Sequence, residues 1–121
     1  MNNTTIGILG NSKLIAYIGH DGLMDFRLQE EFTNTDNKER DVIILACYSK
    51  SYFKPHLEKS KVNPLVWTTG LMAPEAYTIH DALTGYVNGE TNDEIRIRAA
   101  KAYHKYQKCG LNAAKNLLVT N

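Results

Sequence analysis

Two apolar runs constrain this chain more than anything else in it. The first, Leu14-Ile15-Ala16-Tyr17-Ile18, stops at Gly19, His20, Asp21 and Gly22; the second, Val42-Ile43-Ile44-Leu45-Ala46, stops at Cys47. Runs of this length, rich in Ile and Val and bounded by turn residues, read as strands. Neither alternates apolar with polar, which is how parallel strands covered on both faces look. The expectation is two buried parallel strands, one delivering a His and the other a Cys at its C-terminal end. Open α/β sheets bind their ligands at that end. A thiol and an imidazole brought together there are the minimal nucleophile-and-base pair of a cysteine hydrolase.

The remaining elements fill in around these two. Thr4–Leu9 reads as a further short strand, with Gly10-Asn11-Ser12 as a turn that would make a hairpin or edge pair with the His strand. Gly7 and Gly10 do not make a dinucleotide loop, because no third Gly and no suitably placed acid follow. Arg27–Phe32 reads as a helical turn and Thr33–Arg40 as an exposed polar loop. The connection from His20 to Cys47 is tight for a crossover helix, since parallel crossovers need a dozen or more residues. Tyr48–Lys59 is expected to be a short helix, begun again or interrupted at Pro55. Asn63-Pro64 reads as a turn and Leu65–Thr69 as a third strand.

Pro74 and Glu75 suit the first turn of a helix whose apolar stripe is Ala76, Ile79, Leu83 and Tyr86. Thr91 or Asn92, with Asp93 and Glu94 behind, begins the next helix. Its buried face is expected to be Ile95, Ala99, Ala102, Tyr103 and Tyr106, and Gly110 its C-terminal cap. Asn112–Val119 reads as a last short helix. The predicted fold class is therefore α/β: one layered domain over residues 1–121, its mostly parallel strands flanked by helices and its tail helical.

Composition narrows the function. The chain has 121 residues, enough for one domain with a real core, and its net charge of +1 makes no global case for nucleic acid or an anionic membrane. No apolar run approaches the roughly 20 residues that span a bilayer, and the N-terminus lacks the charged-then-apolar pattern of a secretory signal. Cytoplasmic residence is the default expectation. Two cysteines, Cys47 and Cys109, are too few for a disulfide framework. No cofactor is expected. Arg98, Lys101, Lys105 and Lys108 line one helix face, which reads as a solvated stripe rather than a nucleic-acid surface. His56, His80 and His104 show no metal spacing; a site of His20, Asp21, Asp25 and Cys47 would be needed for a metal-dependent hydrolase.

The two motifs, Ile15-Ala16-Tyr17-Ile18-Gly19-His20-Asp21-Gly22 and Val42-Ile43-Ile44-Leu45-Ala46-Cys47-Tyr48-Ser49, resemble the caspase-like cysteine peptidases. That group includes caspases, gingipains, clostripain, legumain, separase and the bacterial CHAT domains, and the Ala-Cys-x-Ser ending looks most like the bacterial members. The resemblance covers the first half of the chain, with His before Cys as in the family. It departs from the pattern at Asp21, which stands where the family has Gly directly after His. Only about a dozen residues precede the His strand. The resemblance therefore implies N-terminal strands supplied by a longer polypeptide or a partner, through a homo-oligomer or association with a missing N-terminal portion.

What the resemblance implies is a cysteine endopeptidase acting on a peptide or protein substrate. Cys47 is the expected nucleophile, activated at a helix N-terminus, and His20 the base and later the acid to the leaving amine. Gly22 and the Cys47 backbone would form the oxyanion hole, with the amide of Asp21 or of Gly22 aimed inward. Family members select a charged or polar residue before the cut. Asp21, Asp25 and Glu75 are the candidate selecting acids, and Trp67, Thr68 and Thr69 the candidate pocket lining. The alternative is a non-catalytic interaction module on the same fold.

Overall fold

The computed structural model describes residues 11–121; the strand expected over Thr4–Leu9 lies outside them. The elements run β1 (Leu14–Ile18), a 3₁₀ turn (Gly22–Met24), β2 (Arg40–Leu45), α1 (Ser49–Ser60), β3 (Val62–Thr68), α2 (Ala76–Val87), α3 (Asn92–Gln107), α4 (Leu111–Leu117) and β4 (Leu118–Val119). The strands form one sheet in the order β1-β2-β3-β4. β1, β2 and β3 are parallel, and β4 closes antiparallel on the end of β3. The protein is α/β, a mostly parallel sheet with helices on both faces.

The continuous apolar run of β2 is explained by what covers it. Val42, Ile44 and Ala46 face one side with Trp67, under Phe53 and Leu57 of α1. Ile43 and Leu45 face the other side and join Leu65, Val66, Met72 and residues of α2, α3 and α4 in the larger core. Small residues set the helix packing on that side: Ala82, Ala99, Ala100 and Ala114 are fully buried. Gly85 is buried too, and an added Cβ there would come 2.7 Å from Glu90 Oε2 and 2.9 Å from Arg98 Cδ. The Arg98 guanidinium runs past that glycine to grip both oxygens of Glu90 at 2.6 Å. Arg98 holds the Glu90 carboxyl below its usual range, and thereby leaves the basic stripe as one half of an ion pair. Of the two residues the sequence offered, Thr91 and not Asn92 caps α3, through a reciprocal pair with Glu94.

Several sequence expectations are corrected. β1 is not a buried strand: Ile15 is 52% and Tyr17 44% exposed, because β1 is the sheet edge among the described residues and no helix reaches over it. Residues 27–32 are open loop, and the turn forms instead at Gly22–Met24, where Asp21 supplies a cap. Asn63 and Pro64 lie inside β3; the sheet absorbs the proline at a bulge, where pairing skips from Val42–Pro64 to Ile43–Val66. α2 starts at Ala76 with Glu75 as its cap residue, and its buried line is Thr78, Ala82 and Gly85, with Ile79, Leu83 and Tyr86 flanking it and Ala76 exposed. On α3, Tyr106 is exposed and stacks on Tyr77 of α2. That helix ends on Lys108 in the left-handed region, while Gly110 begins α4.

Candidate functional site

His20 and Cys47 belong to the two loops at the C-terminal ends of neighbouring parallel strands. Pairing runs from Leu14 opposite Asp41 to Ile18 opposite Leu45, a constant offset of 27 residues. The Gly19 N–H donates to the Leu45 carbonyl at 3.2 Å, so the ladder persists one residue past β1. His20 and Cys47 follow in the loops just beyond the paired residues. Past Ile18 and Leu45 the chain leaves the strands: Cys47 Sγ turns to Met72 of the larger core, while Gly22, Leu23 and Phe26 of the His20 loop border the α1 side beside Val42 and Ile44.

The Cys47 loop is held on every side. Thr68, fully buried at the end of β3, donates its hydroxyl to the Ala46 carbonyl and accepts the Ser49 N–H at 3.1 Å. Ser49 Oγ accepts the Thr68 N–H at 2.9 Å and donates to the Ile44 carbonyl at 2.9 Å. These bonds tie together the end of β2, the start of α1 and the end of β3. Between them Tyr48 adopts φ 53°, a left-handed conformation for a non-glycine residue, with its N–H on the Gly70 carbonyl. That conformation costs about 1–2 kcal/mol and persists only where its surroundings impose it. It turns the chain from β2 into α1 directly behind the thiol.

The thiol itself is half-buried and faces the 70–75 loop. Sγ accepts the Met72 N–H at 3.5 Å and donates to the Met72 carbonyl at 3.8 Å. That loop is anchored in turn by Tyr103 of α3, whose hydroxyl accepts the Ala73 N–H.

The His20 loop is built from its own sequence. Asp21 is fully buried; one carboxylate oxygen accepts the Leu23 N–H at 3.0 Å and the other has no hydrogen-bond partner. Burial pushes the Asp21 carboxyl above its ordinary pKa of 3.8, against the opposing pull of the Leu23 N–H. The turn closes through Asp25 N–H and Phe26 N–H on the Gly22 carbonyl. A Cβ at Gly22 would come 2.9 Å from the Phe26 ring, so a larger residue there would have to displace that exposed ring. The turn brings Asp25 back onto His20, with Nε2 and Oδ2 2.5 Å apart and both side chains largely exposed. The Tyr17 hydroxyl donates to the His20 carbonyl at 2.7 Å.

The structure sorts the sequence-predicted residues accordingly. His20, Cys47 and Gly22 sit at the same sheet end. Asp21 is enclosed and Asp25 is occupied by His20, so neither presents a free carboxylate to a substrate cation. Trp67 and Thr68 do not line a pocket: both are core residues, Trp67 beneath α1 and Thr68 in the staple described above. Thr69 is exposed and donates to the Asn116 carbonyl. Glu75 remains an exposed carboxylate in the loop that carries Met72.

Sequence reasoning missed Ser49, Thr68 as a staple, and the Met72 backbone; a Ser two residues after the Cys was the available signal for the first. Beside Gly22 runs an apolar groove of about 400 Å³, between the open face of β1 and α1, lined by Ile15, Tyr17, Phe26, Leu28, Phe53 and Leu57 among others. His56 borders it, His80 pairs with Asp81, and His104 caps the end of α3 through the Gly110 N–H. Among the described residues no three His, Cys, Asp or Glu side chains group as metal ligands, and no helix is long and apolar enough to cross a membrane. No family model matches the chain, and no curated protein or solved structure matches it either.

Proposed function

We propose that this chain is a cysteine peptidase domain, or part of one, working through a His20–Cys47 dyad. The observation that carries the reading is the topology: β1 and β2 are parallel neighbours, and the loops that follow them carry His20 and Cys47 at the same end of the sheet. In the reaction Cys47 Sγ gives its proton to His20 and attacks the peptide carbonyl. The resulting oxyanion is received by backbone N–H groups of the two loops, and His20 returns the proton to the leaving amine. Water then attacks the thioester with His20 again as base, which restores the thiol.

The same reading has the edge that β1 forms among the described residues covered by another copy or by further chain of the same protein. An exposed strand carrying Ile15, Tyr17 and Ile18 is a ready template for pairing. That exposed apolar edge is also what favours the second reading, an interaction module without catalysis.

The test uses the molecule's two thiols. Cys109 is the more exposed, so exposure alone makes it the faster to alkylate. The dyad predicts that iodoacetamide modifies Cys47 first and that His20→Ala removes the preference. Faster reaction at Cys109 in the wild-type chain, unchanged by His20→Ala, would transfer the assignment to the interaction module.

A further inference from the structure

Asp21 stands where the caspase-like pattern has glycine, and the structure gives the substitution a consequence. Its buried carboxylate caps the turn Gly22–Met24 by accepting the Leu23 N–H, and its backbone carbonyl accepts the Met24 N–H. A turn of that length returns the chain by three residues and sets the next side chain, Asp25, beside the ring that precedes it. Gly22 allows the tight closure, and the Phe26 ring fills the space a Cβ would need. Tyr17 fixes the other side of the histidine through the His20 carbonyl. The imidazole is therefore bracketed: its backbone is held from β1 and its ring from Asp25, at 2.5 Å between Nε2 and Oδ2.

We infer that Asp25 is the positioning residue of His20, holding the neutral ring as the Nε2–H tautomer with Nδ1 left open as the proton acceptor toward Cys47. The inference rests on the dyad reading of His20 as base. An ionised carboxylate can only accept, so the nitrogen facing Asp25 must carry the hydrogen and the opposite nitrogen must carry the lone pair. When Cys47 Sγ passes its proton to Nδ1, Nε2–H stays on Asp25, and the carboxylate faces the charge that has appeared on the ring. Asp25 touches neither substrate nor thiol; it acts through His20.

Exposure separates this role from a structural one. Both side chains are about two-thirds exposed, and water-exposed pairs contribute little to folding. Asp25→Asn should fold as the wild type does, yet release the ring.

The experiment is long-range ¹H–¹⁵N correlation of the histidine rings in the uniformly labelled chain at alkaline pH. His20 is assigned by its disappearance in His20→Gln. The wild type should show the Nε2–H pattern at His20, Asp25→Asn a mixture of tautomers, and Asp25→Glu a return toward the wild-type pattern. Alkylation of Cys47 by iodoacetamide should slow about tenfold in Asp25→Asn and recover in Asp25→Glu. An Nδ1–H tautomer in the wild type, or one unchanged in Asp25→Asn, overturns the positioning role. Cys47 alkylation indifferent to His20→Ala, with the tautomers as expected, overturns instead the dyad on which the role rests.

Discussion

The two halves of the candidate site are built by opposite means. Cys47 stands on the most buried part of the molecule: β2 and β3 are covered on both faces, and Ser49 and Thr68 lock the turn behind the thiol through four hydrogen bonds among buried groups. His20 stands at the end of an edge strand whose side chains are largely exposed, on a loop held by contacts within a few residues of sequence. The nucleophile's frame is thus tertiary and the base's frame is local. A tertiary frame fails only with the fold. A local frame on an open edge can be tightened or displaced by whatever covers β1.

The largest difference should appear in the strands themselves. Ile43, fully buried in β2, should lose about 3 kcal/mol of stability on replacement by Ala in urea unfolding. Ile15→Ala, at 52% exposure in β1, should stay within about 0.5 kcal/mol of wild type. A comparable loss at Ile15 would mean that β1 is covered in solution by chain beyond the described residues, from this copy or another.

Thr68→Val tests the staple behind Cys47. It keeps the shape and removes the hydroxyl, leaving the Ala46 carbonyl and the Ser49 N–H without their buried partner, at a cost of about 2 kcal/mol. Alkylation of Cys47 should change while the tautomer of His20 does not. Coupled loss of both would erase the contrast between the two frames.

The smallest effect is electrostatic and has opposite signs in two places. Burial raises the Asp21 carboxyl in the folded state, so the folded chain holds that proton more tightly than the unfolded one. Its contribution therefore turns more favourable as pH falls through the raised folded value toward 3.8, and levels off below. Glu90 is lowered by Arg98, so its contribution is present above the ordinary 4.5 and is lost as pH falls through its lower folded value. Denaturant titrations on the acid side of neutrality should show wild type gaining on Asp21→Asn, and losing relative to Glu90→Gln, as pH falls. An Asp21→Asn difference that does not vary with pH would show that the carboxyl is not enclosed.

Much of the frame was legible because its signals are local. Strand composition marked β1 and β2, Thr91 or Asn92 with the acids behind marked the start of α3, and the apolar runs delivered His20 and Cys47 to the ends of their strands. These depend on neighbours a few residues apart. The sequence alone therefore determined the α/β class, the order of the main elements and the two residues around which a site could form.

Only the tertiary structure decided which of them are enclosed. An apolar pentapeptide looks the same in mid-sheet and at an edge, and β1 is open because no helix or further strand lies over it among the described residues. Pro64 was readable as a turn until a bulge in the sheet made room for it. Trp67 and Thr68 looked like pocket walls until α1 and Ser49 closed over them. Asp25 was one of several candidate acids until a turn capped by the buried Asp21 set it against His20. In each case the deciding contact comes from where separate segments are brought in space, and periodicity and capping signals along the chain do not encode that.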